Sequence, residues 1–190
     1  MRTRQHGGND LSMALKLVKA TAENRIFDAL KSEWDAQPRL DDAPPPDFYE
    51  PMMRHAQTII DERCYDFKYG IFTVIEDDGR DEVLANHGFA HISHKLPRTS
   101  DSTLKILWNL IAPRYQYSID EVQIARIMTT FVSGAFDLSR SHMPARKIQI
   151  YLGNSIDREF AVMAAAFLEQ TDEQIAFAIK GSWLHIEGTV

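Results

Sequence analysis

The stretch Leu104-Lys105-Ile106-Leu107-Trp108-Asn109-Leu110-Ile111-Ala112-Pro113-Arg114-Tyr115-Gln116-Tyr117-Ser118-Ile119-Asp120-Glu121 governs the reading of the chain, because two different periodicities meet in it. Leu104, Ile106, Leu107, Trp108, Leu110 and Ile111 make a β-type run. Pro113 stops it, since proline neither donates to a ladder nor continues a helix. Ser118-Ile119-Asp120-Glu121 then resembles an N-cap with acids in the first turn, where carboxylates meet the positive end of a helix dipole. Val122, Ile124, Ala125, Met128, Phe131 and Val132 follow at helical spacing and predict a long helix to about Ser139.

Upstream, Ala14 to Ala20 reads as a first strand. Thr21-Ala22-Glu23-Asn24 is a helix-start signal, and Ile26, Phe27, Leu30 and Trp34 recur at three- and four-residue steps, predicting an amphipathic helix over 22–36. Pro38 ends it, and the proline-rich run from Asp41 to Asp47 reads as a stiff linker. A second helix is expected from Phe48 to Arg63, with Met52, Ala56, Ile59 and Ile60 inward. Ile71, Phe72, Val74 and Ile75 form a strand, Asp77-Asp78-Gly79-Arg80 a turn, and Val83 towards Leu96 the returning strand of a hairpin. On that strand, strict alternation puts His87, Phe89, His91 and Ser93 on one face and Asn86, Gly88, Ala90, Ile92 and His94 on the other.

Downstream, Lys147 to Leu152 alternates as a strand, Asn154-Ser155 opens a helix with an apolar interior from Phe160 to Leu168, and two strands follow, Gln174 to Ile179 and Ser182 to Glu187. The predicted fold is α/β: a single mixed, mostly antiparallel sheet flanked by about four helices, in the order β-α-α-β-β-β-α-β-α-β-β. Residues 1–12 read as a flexible lead-in and 13–190 as one domain.

Composition narrows the function classes. The chain has 190 residues, 44% hydrophobic and 25% charged, which fits one globular domain. With 27 acidic against 21 basic residues the formal charge is −6, which argues against nucleic acid as the main partner. Cys64 is the only cysteine, so an internal disulfide and a four-cysteine zinc site are both excluded. No apolar run approaches the ~20 residues that span a bilayer. The first ten residues lack the apolar segment of a signal peptide, so the expectation is a cytoplasmic protein that does not bind membranes.

The order of elements resembles the GNAT acyltransferase superfamily, which moves acyl groups from acyl-coenzyme A to amines. Three stretches carry the resemblance. Leu15 to Asn24 resembles the strand that delivers an Ala-Thr-x-x-Asp/Asn turn into a first helix. Ile111-Ala112-Pro113-Arg114-Tyr115-Gln116 resembles the end of the family's central strand and the loop after it. Asn154 ahead of an apolar helix, followed by two strands carrying Gly181-Ser182-Trp183-Leu184-His185, resembles the C-terminal portion. The resemblance implies acetyl-CoA or another acyl-CoA as substrate, an amine acceptor that is a small molecule or a protein, and no metal; a homodimer is left open.

It also implies binding positions. The backbone of Leu110, Ile111 and Ala112 would lie along the pantetheine arm, with Gln116, the amides of Tyr117, Ser118, Ile119 and Asp120, and Asn154 around the pyrophosphate. In the family the loop reads Gln/Arg-x-x-Gly-x-Gly/Ala, because small residues let backbone approach phosphate. Here Gln116 holds the first position, but Ile119 and Glu121 stand where Gly and Gly/Ala belong. Glu121 would oppose a pyrophosphate by ~1 kcal/mol or more. Around Val162 and Met163 there is no Tyr, the family's usual acid for the leaving thiolate. These departures keep two alternatives in view: a non-catalytic GNAT-fold binding protein, and a synthase taking acyl chains from acyl-carrier protein, which would need a basic face.

For catalysis, His91 at mid-strand and Glu76 beside the hairpin turn are the candidate base groups. The alternative for His91 is a core histidine with a backbone partner. Cys64 reads as a structural thiol, and His87, His91 and His94 as a poor metal set, because alternation turns His94 away from the other two.

Overall fold

In a computed structural model of the protein, residues 14–37, 49–62, 68–77, 83–117, 120–153, 158–159, 161–162 and 176–188 are described. The central sheet contains β1 (Ala14–Ala20), β2 (Tyr69–Asp77), β3 (Val83–Lys95), β4 (Thr103–Ile111), β5 (Lys147–Tyr151), β6 (Ala176–Lys180) and β7 (Trp183–Glu187). Their spatial order is β1-β2-β3-β4-β5-β7-β6. Every neighbouring pair is antiparallel except β4 and β5. That parallel pair needs a long crossover, and helix α4 (Glu121–Arg140) supplies it. Helices α1 (Ile26–Asp35) and α2 (Tyr49–Asp61) and a single turn, α3 (Arg114–Tyr117), accompany α4, and the described residues 158–159 and 161–162 are helical as well.

Two apolar layers follow from strand alternation. On one face Phe72, Val74, Ala90, Ile92, Leu104, Ile106, Ile148, Ile150, Leu184 and Ile186 pack with Ile127, Phe131 and Ala135 of α4. On the other, Ile71, Phe89 and Leu110 pack beneath Phe27, Leu30 and Trp34 of α1 and Met53, Ala56, Ile59 and Ile60 of α2. Each Val, Leu, Ile, Phe or Met among them contributes roughly 1.5–3 kcal/mol by leaving water. The second helix buries Ala56, Ile59 and Ile60 as expected; Met53 joins them, and Met52 packs half-buried at their edge.

Two local features depart from the expectation. Thr21 and Asn24 do form a reciprocal pair, Asn24 N donating to Thr21 Oγ1 at 3.2 Å and Thr21 N to Asn24 Oδ1 at 3.0 Å. That pair closes a turn of its own. Arg25 then takes a left-handed conformation with φ of 53°, so α1 begins at Ile26 rather than at 22. On β3, the register steps from Val74↔Gly88 to Ile75↔Asn86, leaving His87 as an extra residue. This bulge breaks the alternation, so Asn86 meets α1 and His87 turns towards α4, the reverse of the faces expected for them.

Close approach fixes two glycines. A Cβ on Gly134 would lie 2.5 Å from Leu17 Cβ, where α4 crosses β1. A Cβ on Gly88 would lie 2.9 Å from the Leu110 carbonyl oxygen. Gly134→Ala and Gly88→Ala should therefore each destabilise the fold by about 1–3 kcal/mol, measured by urea unfolding. An unchanged midpoint for either would mean that the helix or strand yields freely there.

Candidate active site

The decisive feature is where β4 and β5 part. They pair only from Thr103↔Lys147 to Ile106↔Ile150. Beyond that point β4 runs on to Ile111, while the chain after β5 turns to β7, Leu152 N donating to Ser182 O at 2.8 Å. The edge of β4 from Leu107 to Ile111 thus lacks a β5 partner and opens a fork. Leu107 is itself an extra residue, since the β3–β4 register steps from His91↔Trp108 to Ile92↔Ile106. A bulge re-aims backbone groups locally, which suits a strand edge that must meet a ligand instead of another strand.

The segment after β4 closes one side of the fork. Ala112 is buried, and its amide bonds the His87 carbonyl at 2.9 Å. Arg114 to Tyr117 then form the α3 turn, where a loop was expected. At the start of α4 the Asp120 carboxylate accepts from Gln123 N at 3.0 Å, and Glu121 lies in the first turn. One of the amides that could have faced a phosphate is therefore already taken by a carboxylate. Leu110, Ile111 and Ala112 line the end of the fork's β4 arm, whereas Ser118, Ile119, Asn154 and Cys64 lie outside the described residues, as does most of the apolar run from Phe160 to Leu168. Gln116 and Tyr117 belong to the α3 turn.

His91 and Glu76 occupy different places. His91 is the register partner of Trp108, one strand in from the fork. Its ring packs 5.7 Å from Trp108, 5.6 Å from His55 and 6.1 Å from Tyr69, all at steep angles. Burial, with a smaller push from His55, lowers its pKa to about 4, so the ring is neutral at physiological pH. Its Nδ1 has no hydrogen-bond partner among the described residues.

Glu76 instead faces His87, with Oε2 3.5 Å from Nε2, too long and off-line for a good hydrogen bond. On the other side of that ring Tyr115 Oη donates to Nδ1 at 2.5 Å, and Arg114 Nη2 lies 3.3 Å from the same atom. Arginine can only donate, so the proton of the neutral imidazole is placed on Nε2, towards Glu76. Burial and then Arg114 lower the His87 pKa against the pull of Glu76 and Glu33.

Arg114 ties this centre to α1. Its Nη1 donates to Glu33 Oε1 at 2.7 Å, and Glu33 Oε2 accepts from both nitrogens of Asn86, at 2.8 and 2.9 Å. Trp34 Nε1 donates to Asn86 O at 3.1 Å. Sequence reasoning missed this network, whose members come from α1, β2, β3 and α3; the one local signal was a glycine inside a strand, Gly88, beside the bulge. Among the described residues no group of three or more His, Cys, Asp or Glu side chains is arranged to hold a metal, and no helix is long and apolar enough to cross a membrane.

No protein-family profile and no curated protein matches the chain. Solved structures with a similar course include a NatC complex bound to Gag peptide and CoA, at 10% identity and a TM-score of 0.47 over 94% of this chain and 100% of that one. A KacTA–DNA complex is 12% identical, with a TM-score of 0.45 over 93% of this chain and 94% of the other. A protein from Desulfovibrio desulfuricans assigned to the GNAT acetyltransferase family is 14% identical, with a TM-score of 0.41 over 91% and 96%. Likeness this distant identifies neither substrate nor partner, and the fold is read from the chain's own strand order and fork. The architecture is GNAT-like.

The two buried imidazoles set a pH dependence. Both pKa values lie below the ordinary 6.5, so between 6.5 and about 4 the unfolded chain binds more protons than the folded one. Stability is therefore full above 6.5 and is lost as pH falls towards about 4. After a discount for the partly open ring, His91 should account for about 1–2 kcal/mol of that loss. Thermal unfolding across this range should show the decline, and His91→Phe should flatten it; an equally steep decline in the variant would remove His91 as its source.

Proposed function

We propose that the protein is an acyltransferase that takes an acyl group from a thioester, acyl-CoA in the first instance, and passes it to an amine. The fork between β4 and β5 carries this reading, because an unpaired strand edge supplies backbone donors and acceptors to an extended amide-bearing chain such as pantetheine. Leu110, Ile111 and Ala112 would flank that arm. The phosphate end fits less well at α4, where Asp120 and Glu121 place negative charge.

The chemistry needs a neutral amine, an oxygen held in the transition state, and a proton path. The amine nitrogen attacks the thioester carbonyl carbon, a C–N bond forms, and the C–S bond breaks with the electron pair leaving on sulfur. The proton shed by the amine passes to His91, directly or through water, and from there to the thiolate. His91 is uncharged at physiological pH and lies one strand from the fork; its lowered basicity limits it to taking the proton once attack on the carbonyl has made the nitrogen acidic. Glu76 acts at one remove, its charge facing the His87 ring that Tyr115 and Arg114 hold beneath the α3 turn.

A second reading, a binding protein that has lost catalysis, is favoured by the carboxylates at the start of α4. Calorimetric titration with acetyl-CoA separates the two: saturable heat is expected, and none at millimolar ligand would end the acyltransferase reading. His91→Asn should keep thioester binding while lowering kcat for acyl transfer by about a hundredfold; undiminished turnover would remove His91 from the reaction.

A further inference from the structure

Beyond the fork, the sheet has one buried face and one open face. Ile148, Ile150, Leu184 and Ile186 turn inward to the α4 side. Lys147, Gln149, Tyr151, Trp183, His185 and Glu187 alternate with them and turn outward. Lys105 shares the outward face, since its neighbours Leu104 and Ile106 are the buried ones.

Two rings meet at the fork end of this face. Tyr151 is 38% exposed, and its ring centre lies 5.2 Å from that of Trp183. Trp183 is half-buried, and Lys105 Nζ sits 4.9 Å from its ring centre, an ammonium drawn to the π face. Lys180 is the register partner of Trp183 across β6 and β7. Arg158 reaches the turn between those strands, its Nη2 donating to Gly181 O at 2.8 Å.

The local charge opposes that of the whole chain, which is −6. The face's carboxylates gather at its far end, where Asp101 lies 3.7 Å from Lys147 and Glu187 is the register partner of Lys147. Among the described residues no ion pair joins Lys105, Lys180 or Arg158 to a carboxylate. His185 registers the excess: burial lowers its pKa first, and Lys180, Lys105 and Lys147 push the same way against Glu187.

Cations beside two rings set edge to face select a ligand that is flat at one end and anionic at the other. A bare phosphate would leave the rings unused, and a neutral ring would leave the ammonium groups uncompensated. We propose that the outward face of β5, β7 and β6 at the fork binds a nucleotide, the base against Tyr151 and Trp183 and the phosphate among Lys105, Lys180 and Arg158. The same chemistry belongs to two sources, the nucleotide end of a coenzyme A thioester and an acceptor amine built on a nucleotide. Only the link to the fork rests on the acyltransferase reading; nucleotide binding stands by itself.

The test is titration of the full chain with adenosine monophosphate, followed by calorimetry and tryptophan fluorescence. Saturable binding is expected, weakened about tenfold by Trp183→Leu and similarly by the double variant Lys105→Ala with Lys180→Ala. Asp28→Asn, on the exposed side of α1, should leave it unchanged. Circular dichroism confirms that each variant folds. No binding at millimolar nucleotide, equal binding of ribose phosphate, or binding indifferent to the Trp183 and lysine variants would each overturn the proposal. Competition with acetyl-CoA assigns the nucleotide to the donor, and simultaneous binding assigns it to the acceptor. Acetyl-pantetheine, which has no nucleotide, reports on the fork separately: if it binds and adenosine monophosphate does not, the nucleotide site fails while the acyltransferase reading survives.

Discussion

The structure depends on one interrupted ladder. Parallel pairing of β4 with β5 holds for four residues and then stops, although β4 continues to Ile111. Continuing it would satisfy more backbone groups, so the separation has to be held open by something else. Two constraints do so. The bulge at Leu107 turns the β4 backbone just past the last paired residue, and the chain leaving β5 is captured by β7 through the Leu152 amide. Backbone groups left over at a half-buried strand edge are costly unless water or a ligand meets them, so the fork is the weak seam of the sheet.

The layers on either side of the sheet explain why the two imidazoles differ in role. His91 keeps the alternation of β3 and is packed among rings on the α2 side, where burial and His55 both lower its pKa. His87 sits at the bulge and is gripped from two sides by groups that fix its tautomer. A single inserted residue thus separates a histidine in an aromatic cluster from one in a charged network.

Much of the architecture was legible in the sequence. Ala14 to Ala20, Lys147 to Tyr151 and the helix after Asp120 declared themselves because a single period runs through each of them. The α3 turn did not, since four residues after a proline are too short for any period to register. The exchange of Asn86 and His87 was hidden for a sharper reason: a bulge changes parity without changing composition, so alternation counted straight through it gives the wrong face. For the site, His91 was visible as a titratable group at mid-strand. The grouping of Glu33, Glu76, Asn86, His87, Arg114 and Tyr115 was not, because it is made by packing between elements far apart in the chain.

The Arg114–Glu33–Asn86 chain of contacts has a mechanical meaning. It fastens the turn that caps β4 to a helix on the outer layer, through partners that all lie at one corner of the sheet. Whatever pries that corner, whether an incoming molecule or a rearranging backbone, must drag α1 along or break an ion pair that solvent only partly screens. The first helix is in this sense bolted to the mouth of the fork.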